Sequence, residues 1–160
     1  MFKRRTLLAV ALAPAAATLP HLARAHHGWS SFDQTKPIYL EGKATKVAWR
    51  NPHAELVLEV NQPLALPPNL KDRKVPAQSS SVDGARLMAK AALPTRKDRL
   101  WTIELAPLTR MEAWKVPPIT DGQSVAMLGF TFAEEKGEPI LRVEYLFLGD
   151  AVYGLRSSPA

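Results

Sequence analysis

Much of the chain consists of short stretches in which apolar and polar residues alternate. Residues 54–60 place leucines and a valine on one face and glutamates on the other, and residues 100–105 repeat the pattern. Two further apolar stretches, 124–132 and 140–148, follow turn-forming or charged residues. A period of two residues is typical of half-buried β-strands, so the pattern predicts a mainly β protein.

The first predicted strand, 38–49, is unusually long. Its apolar residues change from one face to the other after Gly42, and such a change after a strand glycine indicates a bulge or a strong bend. An Asn-Pro pair then ends the strand, because this pair favours a turn. Strands 38–49 and 54–60 are therefore predicted to form a hairpin with His53 near its tip.

A short predicted helix, 108–114, separates the third strand from the fourth. Pro107 precedes it, and proline suits the first turn of a helix. The order strand-strand-strand-helix-strand-strand, with a long bent first strand, is that of the OB-fold, a five-stranded partly open barrel. We therefore predict a small OB-like barrel with one short helix between strands 3 and 4. An open β-sandwich or a half-barrel is the alternative architecture.

The segment 61–99 is the least regular part of the chain. It contains five prolines and a serine run, and its alanine-rich stretch 84–93 favours a short helix. We expect a long excursion from a single domain that spans 38–155, and not a second domain. A leader, 26–37, precedes this domain, and a tail, 156–160, follows it.

The first 25 residues have the features of an export signal. Basic residues at 3–5 precede an apolar stretch at 7–17, and Ala-Arg-Ala at 23–25 matches a cleavage site. The apolar stretch is shorter than the about 20 residues that a membrane-spanning helix needs, which disfavours a retained anchor. The Arg-Arg pair at 4–5, before the apolar stretch, resembles a twin-arginine signal. A general secretory signal is the alternative. We therefore predict a periplasmic protein, exported by the Tat or the Sec route.

Export changes the meaning of the net charge. The full chain carries a formal charge of +6, but the predicted signal contains four of the 21 basic residues and no acidic residue. The remaining chain has 17 basic and 15 acidic residues, a net charge of +2. This charge is too small for the electrostatic footprint of a nucleic-acid-binding protein, so we expect no nucleic-acid partner.

The chain contains no cysteine. Disulfides, thiol chemistry and cysteine-ligated zinc are therefore excluded. Any metal ion must be held by histidine, carboxylate or backbone groups.

Three histidines remain after cleavage behind residue 25: His26, His27 and His53. An N-terminal His26 offers an amine and a ring nitrogen, and His53 would add an opposing ring. Nitrogen ligands in this planar arrangement suit Cu(II), and His27 would be a fourth ligand or would orient the others. We predict a metal site, for copper first, at these three residues. The alternative is a solvated terminus and a histidine that only serves the hairpin turn.

Six further residues are candidates for supporting the metal or for forming a ligand platform. They are Trp29, Asp33, Trp49, Asn51, Trp101 and Glu104. Among them Glu104 is of most interest, because it lies in a strand beside Trp101. The tryptophans are alternatively part of the barrel core, and Asn51 alternatively starts a turn.

Several of these motifs together resemble a known family. The motifs are His-His-Gly-Trp-Ser-Ser-Phe-Asp at 26–33, Gly42 with Val-Ala-Trp-Arg-Asn-Pro-His at 47–53, Trp-Thr-Ile-Glu-Leu at 101–105 and Gly-Gln-Ser-Val-Ala-Met-Leu-Gly at 122–129. They are similar to the pattern of a family of exported bacterial proteins with a domain of unknown function (DUF family 6152). The resemblance covers most of 26–148 and implies export and a small β-rich domain, without an established activity. Two departures are the long segment 61–99 and Gln123, which stands where the family has an acid.

Three functions follow from these features. The first is a metal-binding module that handles copper and does not catalyse a reaction. The second is a metal-free module that binds a periplasmic protein or small ligand through the open barrel face and segment 61–99. The third is a copper oxidase or oxygenase. The sequence has no nucleophile elbow, phosphate loop or dinucleotide fingerprint, and we expect no stable membrane insertion after signal cleavage.

Overall fold

The computed structural model of the protein describes residues 28–160. The predicted signal, its cleavage site, His26 and His27 lie outside the described residues. The strands are β1 (Ile38–Ala48), β2 (Glu55–Val60), β3 (Leu100–Glu104), β4 (Ser124–Phe130), β5 (Ile140–Leu148) and β6 (Ala151–Gly154), and the helices are α1 (Gly84–Lys90) and α2 (Leu108–Ala113). Within 28–160, no helix has the length and apolar character needed to cross a membrane.

Strands β1 to β5 form a closed barrel. β1 pairs antiparallel with β2 and β4, β2 pairs with β3, and β4 pairs with β5. A parallel pairing of β3 with β5 joins the two ends of this sheet and closes it. Because α2 lies between β3 and β4, the connectivity is that of the OB-fold. The predicted fold class, a mainly β protein with a small five-stranded OB-like barrel, is confirmed.

The main core fills the barrel. Leu56 and Leu58 of β2 and Trp101 and Ile103 of β3 all point inward and are almost completely buried. Helix α2 follows Pro107, as the sequence predicts, and contributes Met111 to the same core. The alternation predicted for β2 and β3 therefore separates an apolar interior from a more polar outer surface.

The irregularity predicted in β1 exists, but it lies further along the strand than expected. The register with β2 shifts between Thr45 and Ala48, where Lys46 has a positive φ of 48°. Gly42 itself is regularly paired, and a Cβ built there would lie 2.0 Å from the carbonyl oxygen of Glu59. Gly42 therefore permits a close approach of two backbones, and the bulge follows four residues later.

Two segments cover the outer face of β1, β4 and β5. The described part of the leader (28–37) places Phe32 against Phe130 and Ile140. Residues 61–99, which we call the outer layer, pack Leu70 and Met88 onto Tyr145 and neighbouring outward side chains. The alanine-rich stretch of the outer layer forms α1, as its propensity predicts. The barrel is therefore buried on both faces along these strands.

Replacement of Gly42 by alanine should destabilise the protein by about 3 kcal/mol, because the new methyl group would collide with the backbone of β2. The measurement is urea unfolding followed by circular dichroism. Gly28→Ala is the matched control: its Cβ would meet only Ser30 Oγ at 3.8 Å, and we expect a change within about 0.5 kcal/mol. Equal effects of the two substitutions would contradict the close approach.

Candidate functional site

A row of charged side chains crosses the outer surface where β2, β3 and β5 meet. Glu55 of β2 is paired in register with Glu104 of β3, and Glu104 is paired in register with Arg142 of β5. All three point outward, because their neighbours Leu56, Ile103 and Leu141 point into the barrel. Barrel closure therefore places three charged residues from three strands side by side.

Glu104 and Arg142 form a buried ion pair. Their relative exposures are 6% and 5%, and Arg142 Nη1 lies 3.4 Å from Glu104 Oε2. Burial lowers the pKa of Arg142 from its ordinary value, whereas the Glu104 carboxylate raises it again. Arginine remains charged across the physiological range. Loss of one member of such a pair leaves the other charge buried and uncompensated, which typically costs about 3–5 kcal/mol.

Trp29 holds the leader against this row. Two guanidinium groups contact its ring, with Arg142 Cζ at 5.2 Å and Arg156 Cζ at 4.0 Å from the ring centroid. Phe130 approaches the same indole edge-on, with the ring centroids 6.3 Å apart. Cation–π contacts of this kind contribute roughly 0.5–2 kcal/mol each, depending on burial. We call Trp29, Arg142 and Arg156 the tryptophan clamp.

The clamp is anchored by a second buried carboxylate. Glu144 of β5 has no exposed surface, and its Oε2 accepts hydrogen bonds from Arg156 Nε at 2.8 Å and Nη2 at 2.7 Å. Its Oε1 accepts a hydrogen bond from Gln78 Nε2 at 2.9 Å. Arg156 Nη1 also donates to Gln34 Oε1, and Gln34 Nε2 donates to the carbonyl oxygen of Trp29. Because both carboxylate oxygens and Arg156 have partners, the clamp has a fixed geometry.

Asp33 fixes the leader further along. Its backbone N–H donates to the carbonyl oxygen of Thr131 at 2.8 Å, which ties the leader to the end of β4. Its carboxylate accepts hydrogen bonds from the hydroxyl and the backbone N–H of Thr35. These hydrogen bonds, that of the hydroxyl first, lower the pKa of Asp33. Asp33 therefore stabilises a turn of the leader.

His53 lies two residues before β2, which begins at Glu55. Ala54, which follows His53, is fully buried in the barrel core, and Glu55 is the first residue of the charged row. Backbone hydrogen bonds from Ala54 to Ala106 and from Leu105 to Ala54 continue the pairing of β2 with β3 beyond the strands. His53, which is half-buried, is thus held beside the ladder that carries Glu55 and Glu104.

The other predicted site residues have different environments. Trp101 is fully buried inside the barrel, where its Nε1 donates to the carbonyl oxygen of Asp98. Trp49 is partly buried against the same core, and Asn51 is exposed in the loop before His53. The structure therefore brings Trp29 against Arg142, the partner of Glu104, whereas Trp101 belongs to the core and His53 lies in the chain just before Glu55.

The described residues supply only part of the predicted metal site. Within 28–160 no three His, Cys, Asp or Glu side chains are grouped so that they could hold a metal ion. Residues 28–160 contain one histidine, His53. The nitrogen donors that a copper site needs would have to come mainly from His26 and His27.

Arg142, Glu144 and Arg156 were not identified from the sequence. The signal that could have found Arg142 and Glu144 is their position two residues apart inside an otherwise apolar strand. Charged residues are almost never fully buried unless they are paired. Two charges in a strand of this kind therefore indicate partners elsewhere in the fold.

Comparisons with known proteins give one match. The model of a family of unknown function (DUF6152) matches residues 15–66, a narrower range than the motifs suggested. A search of curated proteins and a search of solved structures found no match. The matched range contains the tryptophan of the clamp, the first hairpin and His53. The match supports the predicted relation to this family over residues 15–66, whereas the motifs at 101–105 and 122–129 lie outside the matched range.

Proposed function

We propose that the protein is exported to the periplasm and that its processed N-terminus binds one metal ion, copper first, through His26, His27 and His53. The observation that carries this proposal is the tryptophan clamp. It fixes Trp29 beside Arg142, whose partner Glu104 lies in the same row as Glu55. The leader therefore meets the barrel at one end of the charged row, and His53 precedes Glu55, at the other end of the row, by two residues.

Chain length supports the proposal. His27 and His26 precede Trp29 by two and three residues, and an extended chain spans at most about 3.6 Å per residue. Both histidines are therefore within about 11 Å of the Trp29 Cα along the backbone. A clamped Trp29 lowers the entropy that these residues lose on binding, because ordering a residue costs roughly 1–2 kcal/mol.

The chemistry of the surface also suits a cation. Copper(II) favours nitrogen ligands, and imidazoles bound to a metal are commonly oriented by carboxylates nearby. Glu55 follows His53 by two residues in the sequence, and Glu104 is paired in register with Glu55. When bound, copper would supply a strong Lewis acid at this surface, and the protein's own residues would hold and orient it. Metal handling is favoured over catalysis.

One observation favours the metal-free binding module. A groove of about 310 Å³ lies between the leader and the outer layer, lined in part by Gln34, Asp83, Arg86 and Arg156. A second groove of about 250 Å³ lies between 62–64 and the end of the outer layer. Grooves of this size accommodate small ligands or single side chains of a partner.

The processed protein should bind one equivalent of Cu(II), and His53→Ala should bind it at least about tenfold more weakly, because one of the nitrogen ligands is lost. Mass spectrometry of the exported protein establishes whether His26 is the first residue, and calorimetric titration measures affinity. A variant with one alanine added before His26 keeps all three imidazoles but displaces the amine, and it should also bind more weakly. Unchanged affinity in His53→Ala excludes His53 as a ligand. Absence of binding in the wild type would favour the metal-free module.

Trp29→Ala should lower copper affinity by at least about tenfold, because the released leader must be ordered when the metal binds. Trp114→Ala is the matched control, since it also removes a partly buried indole, which packs against the barrel core and donates a hydrogen bond to the carbonyl oxygen of Ser157. Both variants should lose stability in urea unfolding, but only Trp29→Ala should lose affinity in the titration. Equal affinities would contradict the positioning role of the clamp.

A further inference from the structure

The charge of the protein is divided unequally between the outer layer and the rest of the chain. Residues 61–99 contain eight basic and three acidic residues, a net charge of +5. The remainder of 26–160 contains nine basic and twelve acidic residues, a net charge of −3. The small net charge of residues 26–160 is therefore the sum of a basic outer layer and an acidic remainder.

Six of the eight basic side chains lie at the surface. Arg73 lies over the ring of Phe147, and Arg96 pairs with Asp98, so both serve the fold. The other six are exposed: Lys71, Lys74, Arg86, Lys90, Lys97 and Arg99. Within 28–160 only Arg99 of these six forms an ion pair, with the exposed Glu59, and such surface pairs contribute little.

The segment that carries these charges is packed against the barrel. Leu64, Leu70, Met88 and Leu93 come from different parts of the outer layer and pack into one apolar cluster on the barrel. Arg86 and Lys90 are four residues apart on α1, so they lie on the same exposed helix face. Lys71 and Lys74 adjoin the turn at Leu70, which packs in the same cluster as Met88 of α1. The four charges are therefore held on neighbouring elements.

Two exposed leucines accompany the basic residues. Leu66 is 40% exposed and Leu100 is 54% exposed, and they are the large apolar side chains most open to solvent in the described part of the chain. Leu66 lies within the outer layer, and Leu100 is the first residue of β3, directly after Arg99. Basic side chains with exposed leucines are the combination found on surfaces that bind anionic membranes peripherally.

We propose that the outer layer binds the surface of anionic phospholipid membranes, with its lysines and arginines at the headgroups and Leu66 and Leu100 at the apolar boundary. Arg86 and Lys90 line the groove of about 310 Å³ beside the leader, whereas Lys71, Lys74, Lys97 and Arg99 lie outside it. The basic residues are therefore spread beyond one cavity, which matches a partner of distributed negative charge. Each basic residue near such a surface adds to the attraction, and the attraction falls off within a Debye length. This contact is peripheral and does not depend on the metal site.

The test is sedimentation with vesicles of phosphatidylglycerol and phosphatidylcholine, compared with phosphatidylcholine alone. The wild type should bind only the anionic vesicles, and raising the salt from about 50 to 500 mM should release it, because the Debye length shortens. Reversal of four charges (Lys71→Glu, Lys74→Glu, Arg86→Glu and Lys90→Glu) should weaken binding at least about tenfold. All proteins compared share the same N-terminus, so any contribution of residues 1–27 is common to them.

A matched control reverses four exposed lysines outside the outer layer: Lys36, Lys46, Lys115 and Lys136. It changes the net charge equally and should retain most of the binding. Replacement of Leu66 and Leu100 by serine should weaken binding with the salt dependence preserved. Equal losses in the two charge-reversed variants, equal binding to neutral vesicles, or no binding at low salt would each overturn the proposal. Binding to polyglutamate but not to vesicles would assign the layer to an acidic protein and would also overturn it.

Discussion

The parallel pairing of β3 with β5 is the constraint on which the rest of the structure depends. It joins two strands that are far apart in sequence and closes a sheet that would otherwise end in two open edges. The same pairing sets Glu104 beside Arg142, and Arg142 in turn supports Trp29. Closure of the barrel, burial of an ion pair and docking of the leader are therefore consequences of one register.

The fold was largely predictable because its main signals are local. Alternation in β2 and β3, and Pro107 before α2, follow from neighbouring residues, and their order is sufficient to identify an OB-like barrel. The position of the bulge was not predictable in this way. A change of apolar parity indicates that a strand is irregular, but a backbone collision at Gly42 depends on β2, which only the folded structure brings within reach. Strand β6 extends the sheet by pairing with β5, so its position also depends on a strand that the fold supplies.

The candidate site was less predictable than the fold, because its contacts join distant residues. Trp29 and His53 stand out in the sequence, but nothing local indicates that Trp29 contacts both Arg142 and Arg156. The fully buried Glu144 was similarly hidden within a strand dominated by apolar residues. The charge of the outer layer was present in the sequence, yet it was cancelled in the net charge of the chain and became visible only when its residues were seen to share one layer.

The docked leader also has a consequence for the covalent integrity of the chain. Exopeptidases and endopeptidases require several residues in an extended, unattached conformation. From Trp29 onward the leader does not meet this requirement, because its indole contacts two guanidinium groups and its carbonyl oxygen accepts a hydrogen bond from Gln34. The folded barrel therefore protects its own N-terminal segment from Trp29 onward, and limits how far the chain can be shortened from that side.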